Sequence, residues 1–373
     1  MMKLSIFLLI LSFTLSLKAR SIYEYQRPIW AMGMGGVYTP FPRDADMPTT
    51  NAAYLRYSKE IHLELFNVGL GAPGLNTIRD FQRLPPLKTV SDVNSYYGKT
   101  LWTGFDGRAS FTAPYFGMSV YNNFFIRSYF TNPLVPQWYV NYINDYGLTV
   151  AGAAALGPDV SVGLAVKKIN RWGGENTLGF NIIDQYISTQ NSNVILDQFQ
   201  NKGVGYGMDV SLLYRSEDGT GPIATLVWKD LGSTAFQKTA GATSPPHIPD
   251  NLILGAGYVF DGPGVDAKMG FEYRSIRNLH MQLGEKLHAG VELSLPLIDL
   301  RCGISQGYMT YGFGLDLFFL RLEAAQFTEE MGYYPGQSPE QHLQVALSVD
   351  LSVDADFNIT NGSGKRRKLK QRR

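Results

Sequence analysis

Between Asn251 and Leu351 the chain places an apolar residue at every second position, with polar or charged residues between. Leu252, Leu254, Ala256, Tyr258 and Phe260 share one parity, followed by Val265, Ala267, Met269, Phe271 and Tyr273. The device returns at Leu287, Ala289, Val291, Leu293 and Leu295, then from Met309 to Leu317 and from Leu343 to Leu351. The opposite parity holds Asp266, Lys268, Glu272, Arg274, Lys286, His288, Glu292, Asp299, Arg301, Arg321 and Glu323. A period of two predicts strands with one apolar and one polar face. In a soluble sandwich the apolar face is the interior. In a transmembrane barrel it is the exterior, and about 9 to 11 residues suffice for a tilted crossing.

Connection lengths decide between these readings. Strands are expected over 61–69, 107–113, 116–125, 147–156, 159–169, 204–214, 222–230, 251–260, 264–274, 284–295, 297–305, 307–317, 319–327 and 341–351. A further strand over 138–142 would disturb that even count. Tight turns at Gly157-Pro158, Asp218-Gly219, Asp261-Gly262-Pro263 and Pro296 alternate with the long segments 70–106, 126–146, 170–203 and 231–250. Gln306 reads as a short hairpin on the long-loop side. Outer-membrane barrels put short turns at the periplasm and long loops outside, an order that a soluble sandwich has no reason to keep. The expected fold is all-β: a transmembrane antiparallel β-barrel of about 14 strands.

The N-terminus agrees. Lys3, the apolar run from Leu4 to Leu15, and Ala19 have the charge, apolar core and small residue of a secretory signal peptide, residues 1–19. That run is short for a spanning helix, so the mature chain would enter a membrane only as a closed barrel, over 59–352. With 17% charged residues, 39 Gly, 21 Phe and 22 Tyr, the composition suits turn-rich antiparallel sheet with aromatic girdles. The lone Cys302 excludes an internal disulfide, and its parity with Ile298, Leu300 and Ile304 puts it on the lipid face. The expected location is the outer membrane of a Gram-negative bacterium, among outer-membrane lipids.

The net charge of +1 conceals a basic end. Lys365, Arg366, Arg367, Lys368, Lys370, Arg372 and Arg373 follow the flexible run Asn361-Gly362-Ser363-Gly364. Residues 353–373 read as a disordered, solvated tail. The alternative is electrostatic contact with anionic lipid, cell-wall polymer or a periplasmic or surface protein partner. Nucleic acid is not an expected partner, because no basic, aromatic-laced domain is present.

The run Ala31-Met32-Gly33-Met34-Gly35-Gly36-Val37-Tyr38, then Arg43-Asp44-Ala45-Asp46 and Asn51-Ala52-Ala53, resembles the start of the FadL-type outer-membrane transport family. There a pattern like AMGGA … DDA … NPAGL forms an N-terminal hatch that plugs the lumen. This chain has Ala52 where the family commonly has Pro. The resemblance continues through Leu287 to Glu292, Leu300-Arg301-Cys302-Gly303, Gly307 to Gly312 and Glu329-Glu330-Met331-Gly332. It implies a hatch over 20–58, with Gly33, Gly35, Gly36, Asp44, Asp46 and Asn51 as its marked residues. It also implies passive uptake of hydrophobic small molecules such as long-chain fatty acids. The alternative is a non-transporting barrel scaffold that anchors a secretion or surface-assembly partner.

Ligand chemistry has two candidate places. The loops carry Phe180, Ile183, Tyr186, Trp138, Tyr139 and Phe130, either as packing that caps the barrel or as an external apolar groove. The inward charges should mostly pair across strands. One of Arg274, Lys286 or Arg301 could instead meet a ligand carboxylate. His62, His247, His280, His288 and His342 show no metal-ligand spacing, and no Gly-x-Ser-x-Gly occurs. Neither enzyme activity nor a metal or cofactor is expected.

Overall fold

The structure, a computed structural model, describes residues 27–354 except 217, 318 and 333. The signal peptide and the basic segment 365–373 lie outside the described residues.

Fourteen strands close one antiparallel barrel, and a short fifteenth hangs on its rim. They are β1 (Glu60–Pro73), β2 (Thr100–Ala113), β3 (Phe116–Thr131), β4 (Gln137–Ala155) and β5 (Val160–Leu178). Next come β6 (Lys202–Arg215), β7 (Gly221–Lys229), the rim strand β8 (Phe236–Ala240), β9 (Asn251–Gly262) and β10 (Val265–Tyr273). The last five are β11 (Leu287–Ser294), β12 (Ile298–Ser305), β13 (Tyr308–Leu317), β14 (Leu320–Glu330) and β15 (Pro339–Asp354). Ring strands pair with their neighbours in sequence, β7 pairs with β9, and β1 with β15 closes the circle. β8 pairs only with the upper end of β6.

The apolar parity faces outward. Leu254, Met269, Val291 and Tyr311 are 50%, 47%, 44% and 55% exposed, values that mean lipid contact in a membrane barrel. Cys302 is exposed on the same face. Tyr115, Phe116, Tyr214, Phe260 and Phe319 are exposed near the short turns, where an aromatic girdle belongs. Those turns are tight because positive φ is supplied where needed, for example by Gly264 (84°) between β9 and β10. At the opposite end Gln306 and Gly307, with φ of 54° and 87°, make a two-residue hairpin between β12 and β13. Val291→Arg should therefore cost about 2–4 kcal/mol of barrel stability, as a charge at mid-strand on a lipid face does. Urea titration of the protein refolded into vesicles would show it, and a neutral result would contradict the lipid assignment.

The strands extend further at the loop end than alternation indicates. The segment 138–142 is not a separate strand but the upper part of β4, in continuous register with β3 from Thr131↔Gln137 to Phe116↔Gly152. The expected loop 126–146 is thus a hairpin, and β5 runs on to Leu178. Val140, Asn141, Tyr142 and Ile143 are consecutive and all buried, so both faces are covered and the two-residue period is lost.

Candidate functional site

The described N-terminal segment, 27–59, runs inside the ring. Its helix Ile29–Gly33 contacts β12 to β15, and its 3-10 helix Ala52–Tyr57 contacts β3 to β6. The wall that receives it has two chemical halves. On β4 to β9 the inward residues Ala151, Ala165, Leu213, Ile223, Val227 and Ile253 pack with Trp30, Met34, Tyr38, Phe41 and Leu55 in one apolar core. On β10 to β2 the inward face carries most of the charged residues that meet the segment, together with a smaller apolar patch of Ala325, Phe327 and Ala346 packed on Ile29 and Met32.

Close approach on the charged half is made possible by glycines. Gly290, Gly303 and Gly312 occupy inward positions on β11, β12 and β13. A Cβ added at Gly290 would lie 2.2 Å from the Met34 carbonyl oxygen, and one at Gly33 would lie 2.4 Å from the Gly312 Cα. Backbone meets backbone here, which only glycine permits. The Gly35 amide donates to Thr310 Oγ1 (2.9 Å), and His288 Nδ1 lies 3.0 Å from the Gly35 carbonyl oxygen.

Polar groups complete the seat. Glu272 on β10 accepts from the Tyr38 and Thr39 amides (2.9 and 2.5 Å) and from Thr39 Oγ1 (2.8 Å). Arg274 donates to Glu272 (2.7 Å) and to the Gly36 carbonyl. Arg301 is held by Glu292 (2.5 Å), Asp299 (2.9 Å) and Glu323 (2.8 Å), and its side chain is 0% exposed. Arg43 of the segment joins this network through Glu323 (2.6 Å), and Arg321 joins through Asp299 and Glu323 (both 2.6 Å). Across the lumen Arg108 forks onto Glu64 (2.7 and 2.8 Å) and binds Asp46, which also accepts from Trp30 Nε1 (2.8 Å). A bulge after Glu64 in β1 turns both Leu65 and Phe66 outward while keeping Glu64 pointed at Arg108. Asn51 caps the 3-10 helix by accepting from the Ala53 amide (3.2 Å) and donates to the Thr39 carbonyl (2.9 Å), so the turn forms with Ala52 in place of Pro.

Above the segment the loops converge. Phe130 and Trp138, at the tips of β3 and β4, stack at 5.1 Å, and Trp138 meets Tyr186 of the loop helix Phe180–Thr189 at 5.5 Å. Ile183 and Ile187 of that helix bury against Phe130 and against Val93 of the 3-10 helix Val90–Tyr96. A capping box fixes this last helix, and the Thr89 amide holds the Asp92 carboxyl below the usual carboxylate range. Tyr139 stacks on Tyr129 (4.7 Å), away from the cluster, while Phe180 is largely exposed.

Two cavities adjoin the segment. One runs beside it along β1, β2, β14 and β15, and is lined by Trp30, Arg43, Asp106, Arg108, Tyr121 and Asp350 among others. The second opens to solvent at the short-turn end, and Asp44 lines both.

The structure thus joins Phe130, Trp138, Ile183 and Tyr186 in one aromatic and aliphatic cluster. It places Arg274 and Arg301 in ion pairs with the wall, and buries Lys286 with its ammonium 5.8 Å from the centre of the Tyr273 ring. Sequence reasoning missed the roles of Arg43, Trp30 and Arg108, whose partners are remote in sequence. It also missed the wall glycines, although Gly290, Gly303 and Gly312 stand on the charged parity, where the pattern carries the signal.

No family model and no curated protein matches the sequence. Solved structures do match the fold. The CymD monoaromatic hydrocarbon channel superposes with a TM-score of 0.51 at 11% identity, over 90% of this chain and 99% of that one. A deletion mutant of the TodX monoaromatic hydrocarbon channel gives 0.52 at 11% identity, over 87% and 98%. At such identity the likeness establishes architecture alone. The chain has the fold of the FadL-type outer-membrane transport barrels, the family its glycine-rich N-terminal and C-terminal motifs resemble.

Proposed function

We propose that this protein is an outer-membrane channel for passive uptake of hydrophobic small molecules, with the segment 27–59 as its hatch. The observation that carries the reading is the cluster of Phe130, Trp138, Ile183 and Tyr186, drawn from separate loops and set over a lumen filled by a polar-seated segment. An apolar surface at the mouth of a barrel concentrates lipophilic solutes, and its aromatic faces suit flat rings as well as chains. The cations weighed for a ligand carboxylate favour an uncharged ligand, because Arg274 and Arg301 are already held by buried carboxylates. Monoaromatic hydrocarbons are therefore a better first candidate than long-chain fatty acids, and the similar channels of that description support the choice.

Mass spectrometry of the barrel extracted from outer membranes grown with an aromatic hydrocarbon tests this directly. The expected result is a co-purifying uncharged lipophile, lost in Trp138→Ala and Ile183→Asp variants that still fold. An empty barrel carrying a stoichiometric protein would overturn it and assign the scaffold role.

A further inference from the structure

The basic segment 365–373 is used by neither reading of function, and the barrel offers it a matching surface. Residues 20–364 carry 24 Lys and Arg against 32 Asp and Glu, so the excess positive charge of the chain lies in its last residues. β15 ends at Asp354, whose register partner is Glu60 at the foot of β1. Glu60 lines the open cavity at the short-turn end. The chain therefore leaves the barrel at the edge of that cavity.

The cavity walls are acidic. Asp44, Glu60, Asp218, Asp261 and Asp266 line it, against Lys59, Arg215 and Lys268. Asp261 and Asp266 stand directly opposite each other in the β9–β10 ladder. Lys268 also pairs outside the cavity, and Arg215 is shared between the cavity and two aromatic rings. Lys268 binds Glu292 at 2.7 Å, and the Arg215 guanidinium lies over the Tyr54 and Tyr57 rings at 5.3 and 5.0 Å.

We propose that residues 365–373 dock in this cavity as a cationic strap beneath the luminal segment. Residues 355–364 give reach, since ten residues extend to roughly 33–36 Å and span about 17 Å as a flexible coil. A tether of that length holds the cations at an effective concentration in the millimolar range, ahead of any external anionic surface. Asp44 belongs to the luminal segment and lines both cavities, so the strap ties the underside of the segment to the barrel rim. This holds whatever the channel carries.

The test uses Thr220→Cys, in a turn lining the cavity, in full-length protein with Cys302→Ser. The readout is the rate of modification by an uncharged maleimide in nonionic detergent. Replacing the seven cations by Gln should raise that rate on the order of ten-fold, as loss of a tethered occupant does. Truncation after Gly364 should do the same, and so should about 1 M salt, where screening acts within about 3 Å. Carbodiimide should link Lys368 or Lys370 to Asp218 or Asp261 within one chain. Equal rates in all forms, with the basic segment instead binding phosphatidylglycerol vesicles, would overturn the proposal and assign the segment to a lipid surface. A rate raised by truncation but not by charge removal would also overturn it.

Discussion

Arg301→Leu should cost the barrel about 3–5 kcal/mol, the loss found when one partner of a buried ion cluster is removed. Arg301 is the hub: its guanidinium reaches carboxylates on β11, on β14 and on its own strand, and no part of its side chain is exposed. Without it Glu292 keeps Lys268, Asp299 keeps Arg321, and Glu323 keeps Arg321 and Arg43. Each of the three carboxylates nevertheless loses a charged hydrogen bond in a space shielded from bulk water, where electrostatic energies are large. Leucine fills much of the volume but answers none of the carboxylate lone pairs. Arg301→Lys should fall between, because a point charge cannot serve three carboxylates as a planar fork does. Adding Glu292→Gln to Arg301→Leu should recover part of the loss, since the two residues share one network. Urea titration in vesicles and the heat-modified gel shift both report the result. A loss under about 1 kcal/mol would mean that water, rather than Arg301, satisfies these carboxylates.

The same cluster shows what could be read from the sequence. Glu292, Arg301 and Glu323 stand on one parity of a repeating pattern, and the lipid solvent forces that parity inward, so their inward placement and a general expectation of cross-strand pairing were legible, but not that Arg301 would be held by these carboxylates rather than by a ligand. Arg43 was not, because it lies in a segment without periodicity and its carboxylate is 280 positions away. The barrel itself was legible wherever one face meets lipid. It was not legible in the upper half of β4, where Trp138 packs into the loop cluster and Val140 to Ile143 are covered on both sides. There the sequence reads as an apolar loop although the backbone stays in register with β3. Of the loop residues, the sequence indicated which are apolar but not which meet. Phe130, Trp138 and Ile183 converge because hairpin and helix cross above the lumen, a fact of topology rather than of spacing.

Gly290→Ala should unseat the luminal segment and leave the barrel closed, converting a blocked pore into a conducting one. The added methyl would lie 2.2 Å from the Met34 carbonyl oxygen, 2.5 Å from its carbonyl carbon and 2.8 Å from its Cγ. Two of these are backbone atoms, and the chain on either side is pinned. Gly35 is held by Thr310 and His288, and Gly36 by Arg274. A local shift therefore breaks several contacts at once, beyond the 1–3 kcal/mol typical of one extra methylene in a packed core. The ladder of β11 with β10 and β12 does not depend on that side of Gly290 and should survive. Gly152→Ala supplies the control, since its methyl would meet only the Tyr115 carbonyl oxygen, at an ordinary 3.6 Å. Planar-bilayer recordings should give a conductance for Gly290→Ala well above that of the unaltered protein and of the control, with the heat-modified gel shift unchanged. If Gly290→Ala stays closed, Met34 can move without freeing the segment, and the seat is held by the Arg43 and Arg108 ion pairs rather than by glycine contact. The Gly33→Ala variant separates these outcomes. Its methyl would lie 2.4 Å from the Gly312 Cα on β13, so it presses on the same segment through a different strand.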